Sequence, residues 1–123
     1  MDREIILSTL PKTWIFDLDG TLLKHNGYKI DGIDTVLSGV KEYFKQIPST
    51  DKIVILTSRT EEYKNITLEF LKKEQIPYDE ILFNMPMGER IIINDRKPSG
   101  LDMAICINFD RDNFDLPQIK CEK

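Results

Sequence analysis

The chain has 123 residues, enough for one domain and too few for two. Its 41% hydrophobic and 31% charged content is that of an ordinary soluble globular protein, with a formal net charge of -4. That balance speaks against the clustered basic face of a non-specific nucleic-acid binder. No apolar run reaches the length of a membrane span and the first residues lack a signal-peptide layout, so the expected setting is cytoplasmic, away from membranes.

Residues Met1 to Leu10 hold one brief apolar run, Ile5-Ile6-Leu7, before Pro11. Trp14-Ile15-Phe16-Asp17-Leu18 is a compact apolar run that ends in polar residues and glycine, the pattern of a buried strand. Val36, Leu37, Val40, Tyr43, Phe44 and Ile47 follow helical spacing, with Asp34 placed as N-cap and Pro48 beyond the end. Lys52 to Thr57 reads as a second strand. Ser58 to Glu61 has the arrangement of a capping box opening a helix, which carries Tyr63, Ile66, Phe70 and Leu71 on one face. Ile81-Leu82-Phe83 is a third strand, Arg90 to Asn94 a fourth and Met103 to Ile107 a fifth. Cys106 falls in that last run and is expected in the core, and Cys121 in a polar extension over about residues 110–123. Two cysteines make no disulfide framework and have no metal-ligand spacing.

Apolar strands separated by amphipathic helices predict a Rossmann-like, three-layer α/β/α sandwich with a mainly parallel central sheet, covered on both faces. Ligands in such folds sit at the carboxyl ends of the strands. The residues there are Asp17 to Thr21, Thr57 to Arg59, Asn84 to Glu89 and Asn94 to Lys97.

Asp17 and Asp19 are two apart and so project to one side of the strand end, where two carboxylates repel. Such a pair requires a cation, a shared proton or solvent. Gly20 permits a sharp turn and Thr21 places a hydroxyl beyond it. A strand-to-turn junction with solvated acids is the plain alternative. Thr57-Ser58-Arg59 offers hydroxyls and backbone N–H groups for an anion at the start of a helix; helix capping by Ser58 is the plain alternative there.

The stretch Asp17-Leu18-Asp19-Gly20-Thr21, with its apolar strand, resembles motif I of the haloacid dehalogenase-like hydrolases. The resemblance implies a phosphatase in which Asp17 attacks phosphorus and Asp19 is the general acid and base. Thr57 matches the family's motif II, implying a phosphoryl contact there with Ser58, Arg59, Gly20 and Thr21 nearby. Asp95 matches motif IV, implying a Mg²⁺ shell of Asp17, Asp19 and Asp95. Asn94 stands where a second acid is frequent, and Asp102 is left as structural or supporting. The family's motif III lysine is missing from Asn84-Met85-Pro86-Met87-Gly88. Lys97 is the favoured replacement; Arg90, at the start of the fourth strand, is judged too far away, and Lys72 and Lys73 lie on an exposed helix face.

The spacing leaves no room for a cap domain, only for a hairpin flap over about residues 22–33, in which His25 is expected to be solvated and Tyr28 is open to either role. The expectation is therefore one capless domain over residues 1–123 with an open site, forming a dimer or tetramer and hydrolysing a small phosphorylated metabolite such as a sugar phosphate. Alternatives are a nucleic-acid 3′-phosphatase, a degenerate module that binds a phosphorylated ligand or a protein, and phosphoryl transfer to an acceptor other than water.

Overall fold

Three short, largely apolar runs lie side by side because each can bury alternate side chains on one face of the sheet. In the computed structural model, which describes residues 3–122, these are β2 (Thr13–Asp17), β3 (Lys52–Leu56) and β4 (Glu80–Leu82). They form a parallel sheet in the order β2-β3-β4, with Trp14 opposite Ile53, Phe16 opposite Ile55 and Ile55 opposite Ile81. A second parallel pair joins β1 (Glu4–Leu7) to β5 (Gln118–Cys121). Between the strands run α1 (Gly27–Ile30), α2 (Val40–Phe44) and α3 (Lys64–Lys73), the last entered through a 3-10 turn at Glu61–Tyr63. The chain is a small α/β protein of Rossmann-like character.

Parallel strands in register share faces, so Phe16, Ile53 and Ile55 point together. They meet Val40 and Phe44 of α2, Leu71 of α3 and Ile76 in one buried cluster. The rings of Phe16 and Phe44 are 4.8 Å apart, and Trp14 lies parallel to Phe16 and edge-on to Tyr43. Trp14 donates its indole N–H to Asp51 at 2.9 Å, so the buried Asp51 carboxylate and the indole satisfy each other. Cover is uneven: on the opposite face Ile15 is 48% and Leu82 43% exposed.

Several expected elements differ. Arg90 to Asn94 and Met103 to Ile107 form no strand; Ile91 and Ile93 are 82% and 91% exposed, and Cys106 is exposed. Strand propensity alone makes no strand, because the ladder needs a partner, and these runs have none among the described residues. The expected flap hairpin is one only at its base, where Lys24 N–H donates to Thr35 and Leu37 N–H to Leu22, both at 2.9 Å; its tip is the single turn α1. The expected Val36–Ile47 helix is reduced to α2, because Val36 bridges to Leu23 and the chain turns at Gly39 with φ 91°. Asp34 is consequently no N-cap. Ser58 opens no capping box, since the helical residues begin at Glu61 and the Ser58 hydroxyl reaches only the Pro86 carbonyl at 3.5 Å. The supposed C-terminal extension contains β5.

Leu71 is fully buried, so Leu71→Ala is expected to lose about 2–5 kcal/mol of stability. Ile93→Ser, at an exposed position, is expected to change it by less than about 0.5 kcal/mol. Urea denaturation followed by circular dichroism reads both.

Candidate active site

Asp17 is the last residue of β2, and the next six residues wind back on themselves. The N–H groups of Leu22 and Leu23 both donate to the Leu18 carbonyl, at 2.9 and 3.0 Å. Gly20 makes this possible with φ 84°, a backbone region that side-chain-bearing residues enter at a penalty. The loop brings the Thr21 hydroxyl back to Asp17, donating to Oδ2 at 2.9 Å, while Arg90 donates from Nη1 to Oδ1 at 2.9 Å. The Asp17 side chain remains 34% exposed. It is thus an oriented carboxylate that a solute can reach.

Asp19 lies deeper and meets the end of β3. Its Oδ2 accepts from the Thr57 hydroxyl at 3.2 Å, and its Oδ1 accepts from Arg59 Nη2 at 2.8 Å and Nε at 3.2 Å. Arg59 is 3% exposed. Its other edge grips Asp34, with Nη2 to Oδ1 at 2.7 Å and Nη1 to Oδ2 at 3.0 Å, and Nη1 also donates to the Thr67 hydroxyl of α3 at 2.8 Å. The Tyr28 ring lies 3.9 Å from the guanidinium carbon and meets Tyr63 edge-on. Burial opposes the charge on Arg59, yet the hydrogen bonds to Asp34 and Asp19 outweigh it and hold the guanidinium above its ordinary range. Burial likewise pushes the Tyr28 phenol up.

The residues singled out in the sequence therefore part into two groups. Asp17, Asp19, Gly20, Thr21, Thr57 and Arg59 come together. Arg59, however, has all five N–H donors engaged inside the protein, and the fully buried Thr57 hydroxyl donates to Asp19 while accepting from the Arg59 N–H at 3.1 Å. Neither side chain faces an open phosphate position as expected. Ser58 lies beside them, and its hydroxyl is turned to Pro86. The cation at Asp17 is Arg90, placed against expectation by the loop after β4. Lys97 stands in an exposed turn, where its backbone N–H donates to Leu101, and it pairs with no acid among the described residues. Asn94, Asp95 and Asp102 line a different recess of about 330 Å³ with Arg96, whose Nε donates to Asp102 at 2.6 Å.

A Mg²⁺ shell of Asp17, Asp19 and Asp95 is not assembled by this arrangement. Among the described residues no three acids, histidines or cysteines gather as a metal site, and the oxygens of Asp17 and Asp19 are directed at guanidinium and hydroxyl donors. As placed, the residues compensate their charge with arginine.

Residues that local pattern did not mark as site residues are Asp34, Thr67 and Arg111. Arg111 lies over Gly20, its Cγ 3.1 Å from where a Cβ would stand, and the adjacent Asp112 N–H donates to the Gly20 carbonyl at 2.8 Å. His25, expected in solvent, is half-buried, and its Nδ1 is enclosed without a hydrogen-bond partner among the described residues. Its backbone N–H donates to Asp112 at 2.7 Å. None of these contacts could be read from spacing, since each joins segments far apart in the chain.

No family model and no curated protein matches the chain. Two solved structures do. A chain of the Pnkp1/Rnl/Hen1 complex is 32% identical over 68% of this chain and 31% of its own length, with a TM-score of 0.52. A chain of the Pnkp1/Rnl/Hen1 RNA repair complex is 33% identical over 68% of this chain and 29% of its own, also with a TM-score of 0.52. This chain spans under a third of the length of either.

Gly20→Ala combines a strained backbone with displacement of Arg111. It is expected to lower stability by about 1–2 kcal/mol, read as a lower melting temperature by circular dichroism.

Proposed function

We propose that the protein is a phosphomonoester hydrolase that works through an aspartyl-phosphate on Asp17. The observation that carries this reading is the Asp17–Asp19 pair itself. One carboxylate is reachable and oriented by Thr21 and Arg90, and the other is set back and held by Arg59 and Thr57. Two carboxylates in such different surroundings suit the two different tasks of a nucleophile and a proton carrier.

In the first step an Asp17 oxygen forms a bond to phosphorus as the bond to the leaving oxygen breaks, and a proton from Asp19 goes to that oxygen. In the second, water attacks the same phosphorus, Asp19 takes its proton, and the Asp17–phosphorus bond breaks to release phosphate. The Arg90 guanidinium, already at Asp17, would meet the phosphoryl oxygens and balance the charge that gathers on them. It takes the place for which Lys97 is favoured in the sequence.

A magnesium requirement belongs to this reading through the resemblance alone. The small-metabolite substrate rests on class frequency. The likeness to chains of an RNA repair complex favours a second substrate reading, a phosphate at a polynucleotide end. The net charge of -4 counts against extensive backbone contact, but a terminal phosphate requires few such contacts.

Phosphate release is to be measured from p-nitrophenyl phosphate, a panel of sugar phosphates and oligonucleotides phosphorylated at the 3′ or 5′ end, each with Mg²⁺ and with EDTA. The expected result is release that Asp17→Asn abolishes while its circular dichroism spectrum stays that of the wild type. Arg90→Gln is expected to reduce turnover by about 10²–10³-fold, the order for loss of one charge-stabilising donor. Full activity in Asp17→Asn would refute the mechanism. No release from any compound would favour a degenerate phosphate-binding module.

A further inference from the structure

A buried arginine whose every donor is engaged cannot leave its partners to meet a substrate without stranding charge. Arg59 is such a residue, and it faces Asp19 with one edge and Asp34 with the other. We propose that Arg59 is a positioning residue for Asp19, and that Asp34 and Tyr28 hold Arg59 in place to make it one.

Arg59 follows β3, Asp19 follows β2, Thr67 is on α3, Tyr28 is on α1, and Asp34 is in the segment after α1. Four other parts of the chain therefore converge on one planar group. The guanidinium plane leaves a single rotational arrangement in which Nε and Nη2 meet Asp19 while Nη1 and Nη2 meet Asp34. Tyr28 covers the face at 3.9 Å and removes the freedom to tilt. Thr67 accepts the remaining Nη1 hydrogen bond at 2.8 Å and donates its own hydroxyl to the Tyr63 carbonyl at 2.7 Å. Asp34 is 7% exposed and Arg59 3%, whereas the Asp19 side chain is 18% exposed. The anchor is thus dry, while the Asp19 end is in part open to solvent. A rigid donor fork aimed at one carboxylate fixes the direction in which that carboxylate presents its oxygens, which is what proton transfer demands. The segment carrying α1, which the sequence marks only as a flap, acquires a definite role as the far wall of this anchor.

This inference rests on the phosphatase reading, and a mutant cycle separates the two. Wild type, Arg59→Lys, Asp19→Asn and the double variant are compared on p-nitrophenyl phosphate, with folding of each checked by circular dichroism. Lysine keeps the charge but cannot hold two carboxylates at fixed angles. Arg59→Lys is expected to lower kcat by about 10–100-fold, part of the 10²–10⁴-fold a placed acid or base supplies, with KM changed less than about threefold. In the Asp19→Asn background the same substitution is expected to have almost no further effect, because Arg59 acts through Asp19. Asp34→Asn, which leaves both Arg59 and Asp19 in place, is expected to follow the same pattern and decides the matter should Arg59→Lys not fold. A raised KM with losses that multiply in the double variant would overturn the proposal and make Arg59 a substrate contact. No release by the wild type would instead refute the phosphatase reading, and this inference with it.

Discussion

The site is organised around one buried positive charge. Arg59 stands where the chain leaves β3, in a position that almost no water reaches, and an arginine there requires acceptors for five N–H groups and a counter-charge. Asp19 and Asp34 supply the charge, Thr67 the last acceptor and Tyr28 the covering face. Because each of these comes from a different segment, meeting the needs of one guanidinium fixes where β2 ends, how the loop at Gly20 turns, how α3 sits and where the segment after α1 lies. Removing Asp34 would weaken the compensation of a buried charge and removing Thr67 would strand a buried N–H, so the cluster holds as a unit.

Around that unit the two acids at the end of β2 take different characters. Asp17 shares its face of the sheet with Leu56 and Leu82 in register, at the rim where solvent begins. Asp19, two residues later, is already within reach of the β3 end and accepts from Thr57 and Arg59. Two identical side chains separated by one leucine thus differ in exposure, in partners and in what they can do. Leu18 between them is fully buried, and its carbonyl accepts the N–H groups that close the loop. The apolar residue is as necessary to the site as the acids, because it nails the turn to the core.

The chain after β4 is organised differently. It delivers Arg90 to Asp17 and then runs exposed through Ile91 to Ile93 before returning at Arg111 and Asp112 to touch Gly20. It meets the site at Asp17, through Arg90, and at Gly20 just after Asp19, through Arg111 and Asp112. Short strands β1 and β5 pair in parallel, so residues 4–7 lie beside residues 118–121.

Local pattern determined the strands at Trp14, Lys52 and Ile81, the core positions Phe16, Ile55 and Leu71, and the grouping of Asp17, Asp19 and Thr57 at one end of the sheet. These follow from alternation, helical spacing and the strand-end rule, each of which acts over a few residues. The same local reasoning placed a strand at Arg90 to Asn94, a cap at Asp34 and a phosphate contact at Arg59, and there the tertiary structure decided otherwise. A strand exists only with a neighbour for its ladder, and a cap only if its carboxylate is not claimed elsewhere. An arginine binds a ligand only if its donors are free. Each of those conditions concerns what arrives from a distant segment: Arg59 reaches back to Asp34 and Asp19, and Arg90 to Asp17. Sequence spacing carries no record of such meetings, because ion pairing is set by distance in space and by burial, and both arise only once the chain has folded.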